Sequence, residues 1–302
     1  MIKIIHDSLV FRLPSLIWKN LVTYIMPNKL KSKPLAPEFN FVILCGPKDY
    51  PLLKQALFSI RFSFKKLPHL YIVTDFDMSA KTLTKIVKLY PADKLLVIKA
   101  NECVKYHENN GNSLIKAFAM QSPMGLKIAA IAQVLDIGTP VLYADTDVLW
   151  FNDPFDDIAQ FISGKVNIHM SPDFHPGYDF HLIKKAGLGM TVDPPYYNAG
   201  LMFIKNITEE QHVIMEKLLS IIIESHNSTI EIHKNLSEQT LFAFLQKEAG
   251  PSDMLPDRYL LFTSDQYDII PTWQKHAVAR HYIGQMRHLF WRDAFFKRIR
   301  RL

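Results

Sequence analysis

Two aspartates separated by one residue give this sequence of 302 residues its most defined chemistry. Asp145 and Asp147 directly follow an apolar run at 141–144. In an extended strand residues i and i+2 point to the same side, so both carboxylates can face one point while Thr146 points away. Neighbouring carboxylates repel each other unless a cation lies between them or one is protonated. A few oxygen ligands suit Mg²⁺ or Mn²⁺ holding a diphosphate, so the pair alone fits a divalent-metal site as well as an ordinary acidic turn. The rest of the sequence favours the metal site.

Four other segments carry polar residues at the ends of predicted elements. Each has a simpler explanation: a solvated lysine, a tight turn, an acidic residue favoured by the helix dipole, and a structural histidine. Each also suits a ligand site, because lysines and helix N-termini bind anions and small residues allow close backbone approach. The candidate residues are Lys127, Asn198 with Ala199, Glu238 with Gln239, and His281.

Composition indicates a folded protein and excludes several classes. Apolar residues make up 48% of the chain and charged residues 21%, which is ordinary for a globular protein. Two cysteines form no convincing disulfide framework, and Cys45, at the end of an apolar run, is predicted to be a buried small hydrophobe. Charged and polar residues interrupt the apolar segment at 9–26, which therefore fits neither a signal peptide nor a membrane-spanning helix. We expect a cytoplasmic location.

The positive charge lies at the two ends of the chain. Residues 1–33 and residues 282–302 each carry a net charge of +5, which leaves −4 for the middle of a chain whose total is +6. Residues 1–38 are predicted to be a basic amphipathic segment and linker, and residues 286–302 a basic aromatic tail. No nucleic-acid motif accompanies this charge, so no nucleic-acid partner is expected.

The tail combines apolar residues at helical spacing with clustered cations. This pattern predicts a peripheral helix on the inner face of a membrane, with aromatic side chains inserted and cations at anionic headgroups. The alternative is that the aromatic residues pack on the domain. The apolar positions are Trp291, Phe295, Ile299 and Leu302, and the cations between them are Lys297, Arg298 and Arg301.

Strand-like and helix-like segments alternate between these ends. This order predicts a parallel α/β sheet with helices on both faces, and ligands bind such sheets at the carboxyl ends of the strands, where Asp145 and Asp147 lie. Ser122 and Pro123 predict the start of one helix, and Thr208 with Gln211 predicts another through a capping box. The predicted strands are 39–46, 70–74, 95–99, 141–144, 166–170, 197–204 and 277–283, and further helices begin near 51, 81 and 237.

Together and in this order, these segments resemble the retaining glycosyltransferases of the GT-A fold. The likeness is to the glycogenin and bacterial lipooligosaccharide galactosyltransferase group. Plant and algal nucleotide-sugar transferases share the pattern Asp-x-Asp-x-x-Trp-x-x-Asp-Pro, found here at 145–154. The resemblance covers residues 39–291 and implies a Rossmann-like, mostly parallel sheet in a single catalytic domain at 39–285.

The resemblance also implies roles for the candidate residues. Asp145, Asp147 and His281 would hold Mn²⁺ or Mg²⁺, and Asp145 would also touch the donor. Lys127 would meet the donor sugar or phosphate, Asn198 and Ala199 would line the sugar pocket, and Glu238 would contact the sugar. The amide of Gln239 would lie near the anomeric carbon. This chain departs from the family in having glutamate at 238 and Gln285 in place of a lysine, which leaves Arg287 as the nearest cation for the leaving phosphate.

The expected activity is metal-dependent, retaining transfer of a sugar from a nucleotide-sugar, with UDP as the family's usual nucleotide, to a glycan or lipid-linked acceptor. Front-side attack helped by Gln239 is favoured over double displacement through Glu238. A sugar-nucleotide pyrophosphorylase is one alternative, although residues 44–48 contain too little glycine for its phosphate loop. The other is a non-catalytic scaffold, which would be expected to lack the acidic pair or the histidine.

Overall fold

A six-stranded mixed sheet forms the centre of the protein. The computed structural model describes residues 13–24, 38–189, 195–226, 236–250, 254, 257–261 and 273–299. The strands of this sheet are β1 (Asn40–Cys45), β2 (His69–Thr74), β3 (Leu95–Lys99), β4 (Val141–Ala144), β6 (Ile168–Asp173) and β7 (Tyr196–Ile204). Their order is β3-β2-β1-β4-β7-β6; the first four are parallel, and β7 runs antiparallel to both β4 and β6.

A second, three-stranded sheet lies beside the first. It consists of β5 (Val148–Trp150), β9 (Ala279–His281) and β8 (Tyr259–Leu260), with β9 in the middle. Only residues 145–147 separate β4 of the large sheet from β5 of the small one, so the acidic pair lies where the chain passes between the sheets.

Helices cover both faces of the large sheet, as the sequence predicts. Side chains alternate along β1, so Phe41 and Ile43 pack on one face of the sheet and Val42 packs on the other. The hydrophobic core therefore has one part on each face of the sheet. The α-helices of the described residues are α1 (Leu13–Tyr24), α2 (Tyr50–Ser63), α3 (Ala80–Ile86), α4 (Ala100–Asn109), α5 (Ser113–Gln121), α6 (Pro123–Leu135), α7 (Phe155–Ser163), α8 (Phe180–Ala186), α9 (Glu209–His226), α10 (Ser237–Ala249) and α11 (Arg287–Ile299). Within the described ranges, none of them combines the length and apolar character needed to cross a membrane.

Local sequence signals account for the beginnings of two helices. The Ser122 hydroxyl accepts a hydrogen bond of 3.1 Å from the Met124 amide, which caps α6 as predicted. Thr208 and Gln211 form the predicted reciprocal capping box before α9, with distances of 2.9 and 3.3 Å. Cys45 is buried and reduced, which confirms its interpretation as a small hydrophobe.

The C-terminal helix packs on the protein through both its apolar and its charged side chains. Phe290 is fully buried, and the tail cations Lys297 and Arg298 are buried as well. The Lys297 ammonium donates to the Phe151 carbonyl oxygen at 2.6 Å, and Arg298 donates to Gln55 Oε1 at 2.8 Å. These two cations therefore do not face lipid headgroups as the amphipathic pattern predicted. Arg301 and Leu302 lie outside the described residues.

A buried charge cluster connects α11 to the small sheet. Asp293 accepts hydrogen bonds from Arg280 at 3.1 Å and from the Tyr282 hydroxyl at 2.6 Å through Oδ2. Its Oδ1 accepts from Arg292 at 2.7 Å. Burial, together with the Asp293 charge, holds the pKa of Tyr282 well above its usual range, so the phenol remains a donor.

Replacing Asp293 with asparagine should destabilise the protein by about 3–5 kcal/mol, because two buried guanidinium groups would lose their carboxylate. Urea unfolding would measure this change. Asp93→Asn, at an exposed aspartate, is the control and should leave the free energy of unfolding nearly unchanged. Equal stability of Asp293→Asn and the wild-type protein would contradict the structural role of the cluster.

Candidate functional site

The acidic pair lies in a turn at the carboxyl end of β4. The Val148 amide donates to the Asp145 carbonyl oxygen at 3.2 Å, and the Asp145 amide donates to the Gly200 carbonyl oxygen of β7 at 2.8 Å. The expected extended geometry is therefore wrong for residues 145–147, because the chain turns from one sheet into the other. Both carboxylates nevertheless face the same neighbour, His281.

Strand pairing in the small sheet brings His281 to the acidic pair. Val148 of β5 pairs with His281 of β9, and the Tyr282 amide donates to the Asp147 carbonyl oxygen at 3.0 Å. His281 Nε2 lies 3.2 Å from Asp147 Oδ1 and 3.6 Å from Asp145 Oδ2. One potential ligand atom from each of the three residues lies within 4.8 Å of the others. The structure thus assembles the three residues that the sequence assigned to a metal.

Asn198 fixes the orientation of the histidine ring. Its Oδ1 accepts a hydrogen bond from the Gly200 amide at 2.9 Å and lies 2.9 Å from His281 Nδ1. Its Nδ2 donates to Asp173 at 3.2 Å, which assigns the oxygen to the side that faces His281. The hydrogen-bond network therefore places a proton on Nδ1 and directs Nε2 at the two carboxylates. This is the arrangement by which a neighbouring group orients a metal-binding imidazole.

The charges around Asp147 fit a divalent cation. Burial alone would lower the pKa of His281, but the charge of Asp147 outweighs it and raises that pKa above its ordinary value. Burial raises the pKa of Asp147, yet His281 and Arg287 together bring it below its usual value. Asp147 Oδ1 is buried and faces His281 Nε2, which lies 3.2 Å away. A buried, ionised carboxylate oxygen that faces a directed imidazole nitrogen suits Mn²⁺ or Mg²⁺, which would replace the proton between the two groups.

Arg287 forms an ion pair with Oδ2, the second carboxylate oxygen of Asp147. Its Nε donates to Asp147 Oδ2 at 2.8 Å, while about half of the arginine side chain (55%) stays exposed to the cavity. Asp49, in the loop after β1, lies on the same side. Burial raises the pKa of Asp49, the charge of Arg287 lowers it, and Asp147 and Asp145 raise it further. Sequence reasoning missed Asp49, although its place after the carboxyl end of β1 was a usable signal.

Lys127 forms the opposing charge for Asp145. It is buried in the first turns of α6, and its Nζ lies 3.1 Å from Glu238 Oε1 and 3.6 Å from Asp145 Oδ1. The explanation as a solvated surface lysine is therefore wrong. Burial lowers the pKa of Lys127, but the charges of Asp145 and Glu238 more than offset this and leave that pKa raised, so the ammonium is retained.

Tyr143 contributes a contact that the sequence analysis missed. Its hydroxyl donates to Asp145 Oδ1 at 2.5 Å, and its ring lies 4.6 Å below the Lys127 ammonium. Burial and the charge of Asp145 raise the pKa of Tyr143 well above its usual range. The side chain fixes both the carboxylate and the lysine. A tyrosine two residues before an aspartate on a strand was the available signal, because the two share one side.

Glu238 and Gln239 lie at the start of α10, facing the loop after β6. Gln239 Nε2 donates to the Gly177 carbonyl oxygen at 2.8 Å, and its Oε1 accepts from the Ala199 amide at 3.4 Å. A Cβ at Gly177 would lie 2.5 Å from Gln239 Nε2, so glycine permits this approach. Glu238 Oε2 is buried and has no hydrogen-bond partner among the described residues, which leaves one acceptor oxygen available to a ligand.

These residues line one cavity of about 540 Å³ at the carboxyl ends of β1 and β4. Of the nine residues that the sequence analysis assigned to the site, eight line this cavity. The ninth, Ala199, donates a hydrogen bond from its amide to Gln239, which lines the cavity. The loop after β1 forms another part of the wall, which also includes Asp75. The lining from that loop is Gly46, Pro47, Lys48 and Asp49.

A cavity at the carboxyl ends of a mostly parallel α/β sheet, lined by an acidic pair, a histidine and two cations, is the arrangement expected of a nucleotide-sugar glycosyltransferase of the GT-A type. The chain belongs to the nucleotide-diphospho-sugar transferase family, whose sequence profile matches residues 94–261. The matched segment contains α6, the acidic pair and the start of α10. The family resemblance inferred from the sequence is therefore confirmed.

Known relatives agree with this assignment. The chain is 24% identical over 305 residues to the UDP-D-xylose:L-fucose alpha-1,3-D-xylosyltransferase of Arabidopsis thaliana, covering 94% of this chain and 78% of that protein. The galactosyltransferase LgtC, solved with donor and acceptor sugar analogues, is 14% identical with a TM-score of 0.52, covering 82% of this chain and 87% of that chain. Mouse xyloside xylosyltransferase 1 is 13% identical with a TM-score of 0.54, covering 82% and 98%. At such low identity, the two structures establish the fold alone.

Proposed function

We propose that this protein is a metal-dependent, retaining glycosyltransferase that uses a UDP-sugar as donor. The observation that carries the proposal is the convergence of Asp145, Asp147 and His281 within 4.8 Å at the cavity that Lys127, Glu238 and Gln239 also line. A divalent cation held by the first three residues would supply positive charge to the diphosphate oxygens.

The chain's own cations support departure of the nucleoside diphosphate. When the bond between the sugar and the phosphate breaks, negative charge develops on the leaving phosphate oxygen. Arg287 pairs with Asp147 but keeps about half of its side chain (55%) exposed to the cavity, so it is free to reach a phosphate. Lys127 is held beside Asp145 and Glu238, where it stabilises their charge and meets the donor.

Retention follows in this proposal from attack on the face that the diphosphate leaves. The acceptor oxygen forms the new bond to the anomeric carbon, and its proton passes to the departing phosphate oxygen. Gln239, held by Gly177 and Ala199, stabilises positive charge on the sugar through its amide oxygen. Double displacement through Glu238 is less favoured, because the Lys127 ammonium, 3.1 Å away, stabilises the Glu238 carboxylate and makes it a weaker nucleophile.

The proposed classes of donor and acceptor are based on the chemistry of the site and on a relative of this chain. The name of the Arabidopsis relative specifies a UDP-sugar donor and a sugar acceptor. We therefore propose UDP as the nucleotide and a glycan or lipid-linked sugar as the acceptor. We also propose peripheral attachment at the cytoplasmic face of a membrane, because residues 1–33 carry a net charge of +5.

Hydrolysis of donor sugars in the absence of acceptor tests the activity. Full-length protein with Mn²⁺ is incubated with UDP-galactose, UDP-glucose, UDP-xylose and GDP-mannose, and the first sugar released is observed by proton NMR. We expect a UDP-sugar to be cleaved with the α-anomer released first, and we expect no cleavage by the Asp145→Asn/Asp147→Asn double variant. Early release of the β-anomer would contradict retention, and cleavage of GDP-mannose alone would contradict UDP.

A further inference from the structure

Helix α1 is apolar on two opposite sides, and the residues that the structure describes cover only one of them. Val22 is fully buried, and the Trp18 ring packs 4.8 Å from Phe295 and 5.5 Å from Phe296 of α11. The Lys19 ammonium lies 5.5 Å from the centre of the Trp291 ring. These contacts fix α1 on α11, so its orientation relative to the catalytic domain is defined.

The other side of α1 presents large apolar side chains to the solvent. Leu16 and Ile17 are each 54% exposed and Leu21 is 42% exposed. Ile17 and Leu21 are one helical turn apart and lie together, and Leu16 lies about 100° around the helix from Ile17. The exposed side that carries these three residues is here called the outer face of α1. A helix that is apolar on both sides is usually covered on both, so the outer face indicates a further apolar partner.

Charge identifies the kind of partner. The segment that contains α1, residues 1–33, holds six basic residues and one acidic residue. Such a segment is attracted to an anionic lipid surface, whereas two copies of it would repel each other in a dimer. The twelve residues of α1 extend about 18 Å, too short to cross a hydrocarbon core of about 30 Å.

We propose that α1 lies flat on an anionic lipid surface and inserts Leu16, Ile17 and Leu21, with α11 as its support. The inference deepens the membrane attachment in the proposed function and rests on it. It moves the lipid contact from the C-terminal tail, whose cations Lys297 and Arg298 bind the protein, to the N-terminal helix. Insertion of apolar side chains combined with attraction of flanking cations is the binding mode of interfacial helices.

Flotation of full-length protein with vesicles tests the proposal. The wild-type protein should float with vesicles of phosphatidylcholine containing phosphatidylserine, and less with phosphatidylcholine alone or at high salt. The triple variant Leu16→Gln/Ile17→Gln/Leu21→Gln should bind the anionic vesicles at least about tenfold more weakly, because three inserted side chains are lost. A control variant replaces three equally exposed apolar residues elsewhere and should float like the wild type: Val87→Gln, Ile137→Gln and Val213→Gln.

The outcomes separate this proposal from the catalytic one. Equal flotation of the outer-face variant and the wild type would overturn the assignment of the surface. The assignment would also be overturned if the wild type formed a concentration-dependent dimer that the variant loses, and neither protein bound vesicles. Hydrolysis of the UDP-sugar in detergent-free buffer should be the same in all three proteins. If none of the three proteins hydrolyses the UDP-sugar while flotation is as expected, the result would contradict the catalytic proposal and leave the lipid contact standing.

Discussion

The variant Asp147→Asn should lose metal-dependent binding of UDP and reduce donor turnover by at least about 10²- to 10³-fold. Both oxygens of Asp147 have defined positions: Oδ2 accepts from Arg287, and Oδ1 lies 3.2 Å from His281 Nε2. An asparagine would remove the negative charge and could direct an amide N–H at the position proposed for the cation. Calorimetry of UDP binding with and without Mn²⁺ measures the first effect, and steady-state hydrolysis of the preferred UDP-sugar measures the second.

Asp156→Asn is the matched control for this variant. Asp156 is an exposed aspartate in the first turn of α7, outside the cavity lining, and its replacement should leave both measurements unchanged. Full Mn²⁺-dependent binding and turnover in Asp147→Asn would contradict the assignment of Asp147 as a metal ligand.

Replacement of Lys127 by methionine should cost about 3–5 kcal/mol of stability, because Glu238 and Asp145 would lose their buried partner. Methionine is of similar length, so most of the packing is retained and the lost charge dominates. The pKa of Lys127 in the folded protein lies above its usual value. The stabilisation is therefore fully present at neutral pH and is lost only in alkaline solution, as the pH rises through the folded pKa. Urea unfolding of the variant measures this change.

A second variant separates the structural role of Lys127 from its role toward the donor. In Lys127→Met/Glu238→Gln the buried glutamate is neutralised, so part of the lost stability should return while donor turnover stays low. The exposed pair of Lys116 and Glu108 provides a control, and Lys116→Met should change the stability little. If Lys127→Met unfolds like the wild-type protein, the buried charge network does not stabilise this site.

The strands and the large-sheet architecture were predictable because they depend on local patterns. The apolar run before Asp145 corresponds to β4 at Val141–Ala144, and the capped helix after Ser122 corresponds to α6. The small sheet was not predicted. Its strand β5 has only three residues, Val148–Trp150. This is too short to show the alternation of apolar and polar residues that identifies a strand in sequence.

Within the site, the residue types were predictable but their contacts were not. Asn198 was assigned to the sugar pocket, and it does line the cavity. Its contact with His281 was not predicted, because the pairing of β5 with β9 brings the histidine there. The pattern of the C-terminal tail is also ambiguous in sequence. Apolar residues at helical spacing fit a lipid surface and a protein core equally well, and only the contacts of Lys297 and Arg298 distinguish the two.

A crystal structure of the protein grown with Mn²⁺ and UDP, with anomalous scattering measured for manganese, most directly tests the central claim. We expect one anomalous peak bonded to Asp145, Asp147 and His281 Nε2 and to oxygens of the diphosphate. Bound UDP without such a peak, or a peak that His281 does not contact, would contradict the site as proposed.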